Sequence, residues 1–158
     1  MANILQPLRF SPTLQGTVRS YDDQAQPFTG YGLTLLPDDI ARFGLFLLQD
    51  EGKVDGVQVL DRKALNAALQ RDPEDPGMTV QADKMRYNNG LWAATVMPEI
   101  DCRGPVWIPF MSGYGGISVV LMPNQSVYYV FSDGAHFKWA QAAIESHRLK
   151  SFCGEQHP

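Results

Sequence analysis

Cysteine is scarce in this chain: among 158 residues only Cys102 and Cys153 carry a thiol. Two cysteines set no disulfide framework of the kind that staples small secreted domains, and no Cys-x-x-Cys site is present. They could pair only if the fold brought them together. Long apolar runs are also missing. None approaches the roughly 20 residues needed to span a bilayer, so no membrane partner is expected. The opening residues, MANILQPLRF, lack the charged start and apolar core of a signal peptide. As given, the chain reads as cytoplasmic, and two free thiols are the expectation. Neither sign of charge dominates: 13 Lys and Arg stand against 17 Asp and Glu, a net charge of −4. That argues against nucleic acid as a main partner. Histidine is rare, and His136, His147 and His157 show no metal-ligand spacing. No metal and no other cofactor is expected.

What is present is a globular composition, with 44% hydrophobic and 19% charged residues. A chain of this length can bury a real core, and residues 1–158 read as one domain. Residues 1–30 have no lasting period and read as irregular, with one short helical turn. Pro37-Asp38-Asp39 then signals a helix start, since proline suits the first turn and carboxylates suit the positive end of the dipole. Ile40, Phe43, Leu47 and Leu48 fall on one face, and Gly52 is a stop. Asp55-Gly56 predicts a hairpin turn within residues 53–60. Asp61 is a cap for a second helix over 62–70, with Ala64, Leu65, Ala68 and Leu69 inward.

The second half changes character. Residues 90–97, 104–111, 117–122 and 126–132 are short runs rich in β-branched and aromatic residues, separated by turn residues. Pro105 and Pro109 suit an edge position for the second run. Such spacing predicts an antiparallel meander. A last helix over about 135–150 has Phe137, Ala140, Ala143, Ile144 and His147 at helical spacing, and would pack on one sheet face. The order of helices, strands and a final helix is α+β, with a sheet of about four strands.

The stretch PFMSGYGGISVVLMPNQSVYYVFSDG, residues 109–134, carries the most chemistry. Ser112 precedes a glycine turn, but the Gly-x-Ser-x-Gly pattern of a nucleophile elbow is not formed. A turn hydroxyl is the plainer reading, and Gly113, Gly115 and Gly116 fit a bend or close backbone approach. A Ser-His-Asp set from Ser112, His136 and Asp133 can be drawn, but adjacent Asp and His on one loop seldom meet the geometry. His147 reads as a packing histidine. Trp92, Trp107 and Trp139 with Tyr128 and Tyr129 could line a pocket, although such residues more often form core or interface.

Several segments together resemble the penicillin-recognising serine hydrolases, the group of class C β-lactamases, D,D-peptidases and related esterases. Ile4-Leu5-Gln6-Pro7-Leu8 with Ser11-Pro12-Thr13 is similar to the "PLGM…T" stretch after the family's second motif. Gly30 to Thr34, followed by Asp39-Ile40-Ala41-Arg42-Phe43-Gly44, resembles its "GGL.ST..DLARFG" segment, and Val57-Gln58-Val59-Leu60 its "G.QVL". Asn89-Gly90-Leu91-Trp92 sits where the family has "YGYGW". Met111-Ser112-Gly113-Tyr114-Gly115-Gly116 matches the third motif, commonly His-Ser-Gly or Lys-Thr-Gly. The resemblance covers nearly the whole chain.

It implies a partial β-lactamase/transpeptidase-like fold, the C-terminal portion only, with Met111, Ser112, Gly113 and Tyr114 on the strand bordering the substrate groove. The Tyr114 amide would then supply one of two oxyanion-hole donors. The family's nucleophile is the serine of Ser-x-x-Lys, and no serine here has lysine three residues on. Tyr-x-Asn is expected before residue 1, and Tyr87-Asn88-Asn89 lies in the wrong place. Met111 stands where the family has a cation or histidine. No catalytic residue is therefore assigned, and an inactive portion is the leading expectation. A binding or assembly module, or one half of a split hydrolase, is the alternative. An active site around Ser112 and His136 is the remaining one. A sheet cut at this point would leave an open edge, so a homo-oligomer or a partner chain completing the sheet is expected.

Overall fold

The computed structural model describes residues 7–25, 33–81, 84–96, 100, 102–113, 116–132, 134 and 139–153. The chain divides into two compact units, residues 1–43 and 44–158. It is α+β, with three α-helices, a two-stranded sheet and a six-stranded antiparallel sheet among the described residues.

In the first unit, a 3-10 helix at Pro12–Gly16 is the single short turn expected in an otherwise irregular segment. Helix α1, Pro37–Leu48, starts here with proline in its first turn and Asp38 and Asp39 following. Phe10 packs edge-on against Phe43 at 6.5 Å between ring centroids.

The second unit opens with the rest of α1. Gly52 ends the helix with φ +74, its N–H reaching Phe46 O at 2.9 Å. Strands β1 (Lys53–Val54) and β2 (Val57–Gln58) flank Asp55 and Gly56, both at positive φ (49 and 80), so the hairpin turn forms where the sequence places it. Helix α2, Arg62–Ala68, is capped by Asp61, whose carboxylate accepts from Ala64 N at 2.7 Å. Leu65, Ala67, Ala68 and Leu69 are buried, but Ala64 is exposed. The inward face is rotated from the expected one because the capped first turn points to solvent.

The large sheet is a simple meander: β3 (Met78–Val80), β4 (Met85–Asn88), β5 (Leu91–Thr95), β6 (Trp107–Gly113), β7 (Ile117–Leu121) and β8 (Val127–Val130), each pairing with the next. The count of about four strands is thus corrected to six. The two missed strands are short, and in β4 (MRYN) Met85 and Tyr87 alternate with Arg86 and Asn88 over only four residues, too few to announce a strand. It is held instead by the Asn89-Gly90 turn, both residues at positive φ, and by Tyr87 packing on Trp92 at 4.8 Å.

The edge position expected for the proline-bearing strand is also corrected. β6 lies between β5 and β7. Pro105 precedes it, and Pro109 pairs with Ala93 of β5, while the register with β7 starts at Phe110↔Val120. The register with β7 begins one residue after Pro109, so the N–H that proline lacks interrupts no rung of that pairing.

The alternation of β-strands sends side chains to two faces. On one, Ile108, Phe110, Val120 and Met122 form a core with Trp139 and Ala143 of the last helix, α3 (Ala140–Leu149). The final helix packs on the sheet as expected, but Ala140 of the expected face is exposed, and residues 135–138, including Phe137, lie outside the described residues. On the other face, Leu48 of α1 and Leu69 beyond α2 meet Trp107, Pro109 and Leu121 around a common cavity. Gly44 lets α1 approach β8, since a Cβ there would sit 2.7 Å from both Val127 methyls.

The expectation of two free thiols is overturned. Cys102, before β6, and Cys153, after α3, form a disulfide across 51 residues. The packing of α3 on the sheet brings together two cysteines whose sequence context gives no hint of pairing.

Candidate functional site

The third-motif residues end strand β6. Met111, Ser112 and Gly113 pair with Val119, Ser118 and Ile117 of β7. Met111 shares a sheet face with Val119, and Ser112 points to the opposite one. A Cβ on Gly113 would lie 3.2 Å from Ile117 Cβ, so this glycine permits a close strand approach. Gly116 has φ +90 and enters β7 from a conformation that other residues rarely adopt. Gly113 and Gly116 therefore fit their plain structural reading. Tyr114 and Gly115 lie outside the described residues, and so does the oxyanion role expected of the Tyr114 amide.

Ser112 is exposed and has no hydrogen-bond partner among the described residues. Directly opposite, Ser118 is fully buried and its Oγ is unpartnered. A serine hydroxyl needs an adjacent base to become a nucleophile. His147 cannot serve, because its Nδ1 accepts the Phe152 N–H at 3.0 Å while its ring packs edge-on against Phe152. It is a packing histidine, as its spacing suggested. Asp133, His136 and His157 lie outside the described residues. Among the described residues no three His, Cys, Asp or Glu side chains converge on a metal-sized space.

Tyr87-Asn88-Asn89 serves structure. Asn88 is buried, and its amide donates to Asp75 O at 2.9 Å and Asp75 Oδ1 at 3.1 Å. Asn89 turns the hairpin and donates to Ala64 O at 3.2 Å. The aromatic residues are mostly core. Trp139 meets Phe110 at 5.3 Å, and Trp92 and Tyr128 pack against the same cluster. Trp107 differs: Arg86 stacks 3.8 Å above its ring, and it borders a cavity of about 300 Å³ with Gln70 and Arg71. That cavity is not the motif's. Its lining ends on β6 at Pro109, two residues before Met111, and none of Met111, Ser112 or Gly113 lines it.

Two polar centres escaped the sequence reading. Asp39 is more than a helix-start charge: it is buried and accepts from Ser11 N at 2.7 Å, from Ser11 Oγ and from Leu36 N at 2.9 Å. Asn124, in the turn between β7 and β8, donates its amide to Ser146 O, Ser146 Oγ and Lys150 O at 2.9–3.0 Å. An Asp three residues into a helix start could have been read as one arm of a capping box. No local signal announces Ser11 or Ser146.

No family model, no curated protein and no solved structure matches the chain.

Proposed function

We propose that this chain is the C-terminal portion of a penicillin-recognising serine hydrolase, supplying the sheet wall of a substrate groove and no nucleophile. The observation that carries the reading is the Met111-Ser112-Gly113 strand end, facing β7 in an antiparallel hairpin with the Ser112 hydroxyl exposed. The helix packed on the sheet after that hairpin supports it, as does the order of the five family-like segments. Met111 removes the charge that would attract a substrate carboxylate, and among the described residues no base engages Ser112. Alone, the chain binds weakly at best and does not turn substrate over.

A second reading, assembly with a second copy or with a chain bearing Ser-x-x-Lys and Tyr-x-Asn, is favoured by the exposure of Ile117 (38%) and Phe131 (53%) beside β8, the last strand of the sheet. The decisive assay offers a chromogenic β-lactam and a p-nitrophenyl ester, with a fluorescent penicillin and a fluorophosphonate as covalent probes. Absence of turnover and of labelling is expected. Turnover that disappears in Ser112→Ala would overturn the inactive reading. Light scattering that finds a monomer at high concentration would count against assembly.

A further inference from the structure

Helix α3 is a cover with little grip of its own. It has ten residues, shorter than an isolated helix needs to be stable in water. Ala143 is its one fully buried residue among those described, Trp139 anchors the start, and Leu149 is 90% exposed. The far end is held by two clasps instead. One is Asn124, which binds Ser146 and Lys150 from the β7–β8 turn, with Ser126 Oγ at 2.9 Å from Ser146 Oγ. The other is the Cys102–Cys153 disulfide, four residues beyond the end of α3. Neither cysteine belongs to a strand, and both are half-exposed, so a small reductant can reach them without the sheet opening.

We propose that the Cys102–Cys153 bond is a redox-operated strap that keeps α3 closed over the sheet, and that its reduction releases α3 locally. The co-reactant is a dithiol. One of its thiolates attacks a sulfur of the strap, forming a mixed disulfide and expelling the other cysteine as thiolate. The second thiol of the reductant then displaces the bound cysteine. The dithiol leaves oxidised, and two electrons and two protons end on Cys102 and Cys153. Asn124 and Ser126, with the partly buried Phe152 against the core, are then what holds the helix end. Opening bares Phe110, Val120 and Met122, an apolar surface continuous with the core. The sheet persists, because its ladder and its other face do not depend on the strap. The proposal stands apart from the hydrolase reading.

Hydrogen–deuterium exchange on the full chain, with and without dithiothreitol, tests it. Reduction is expected to speed exchange of the α3 amides at least tenfold, to leave β5–β7 unchanged, to raise binding of an apolar dye, and to reverse on reoxidation. Asn124→Ala is expected to speed α3 exchange further in the reduced chain and much less in the oxidised one. Unchanged α3 exchange on reduction, α3 and strands exchanging together, or an equal effect of Asn124→Ala in both redox states would each overturn the strap.

Discussion

The buried Asp39 carboxylate accepts both the backbone N–H and the hydroxyl of Ser11, 28 residues earlier in the chain. With Leu36 N as a third donor, it closes the start of α1 and ties an irregular segment to it. This is one arm of a capping box, turned inward to take a long-range partner as well. Asp39→Ala leaves three donors without their acceptor, so a loss of about 2–4 kcal/mol is expected. Urea unfolding measures it. Ser11→Ala should cost less, because the backbone N–H keeps its bond.

The same residue sets an acid limit. Burial pushes the Asp39 carboxyl up, but the hydrogen bonds from Ser11 and Leu36, with Arg42 nearby, outweigh it and hold the group below the ordinary aspartate value. A depressed folded pKa adds stability that is complete above the unfolded value, about 3.9. It is lost as pH falls through the lower folded value. Wild-type stability should therefore fall below about pH 4 more steeply than that of Asp39→Asn. Parallel curves would show that Asp39 makes no such contribution.

Gly44 is required for space. An added Cβ would meet Val127 Cγ1 and Cγ2 at 2.7 Å. Gly44→Ala should cost about 1–3 kcal/mol through overpacking. In a Val127→Ala background the penalty should shrink, which a double-mutant cycle reads directly.

Gly90 is required for conformation. It has φ +87 and nothing within 4 Å of a built Cβ. Gly90→Ala should cost about 1 kcal/mol from backbone strain alone, and no second-site truncation should rescue it.

Loss of the disulfide in the Cys102→Ser, Cys153→Ser double variant frees a loop of 51 residues in the unfolded chain. The entropy of closing such a loop is worth about 4 kcal/mol. The denaturant midpoint should drop accordingly, while far-UV circular dichroism in buffer loses at most the contribution of α3.

What could be read in advance was local. Asp55-Gly56 and Asn89-Gly90 turn because those residues tolerate positive φ wherever they stand. Asp61 caps because its own side chain reaches three residues ahead. Ala64 was misplaced because one helical face looks much like the next when only a few apolar residues mark it. At the candidate site, the glycine turn and the lack of Ser-x-x-Lys were legible. The faces to which Met111 and Ser112 point followed only once the register with β7 was known.

By itself the sequence determined the α+β order, the turns, the helix caps and the absence of a Ser-x-x-Lys nucleophile. All of these depend on side chains acting within a few residues of themselves. Only the tertiary structure decided that β6 is interior, that Gly44 lies under Val127, that Asp39 serves Ser11 and that Cys102 meets Cys153. The last three of these join residues 28 to 83 positions apart in the chain. Local propensity carries no information at that range; at Gly44 and at the disulfide the contact follows from helices packing on the sheet faces to bury apolar surface.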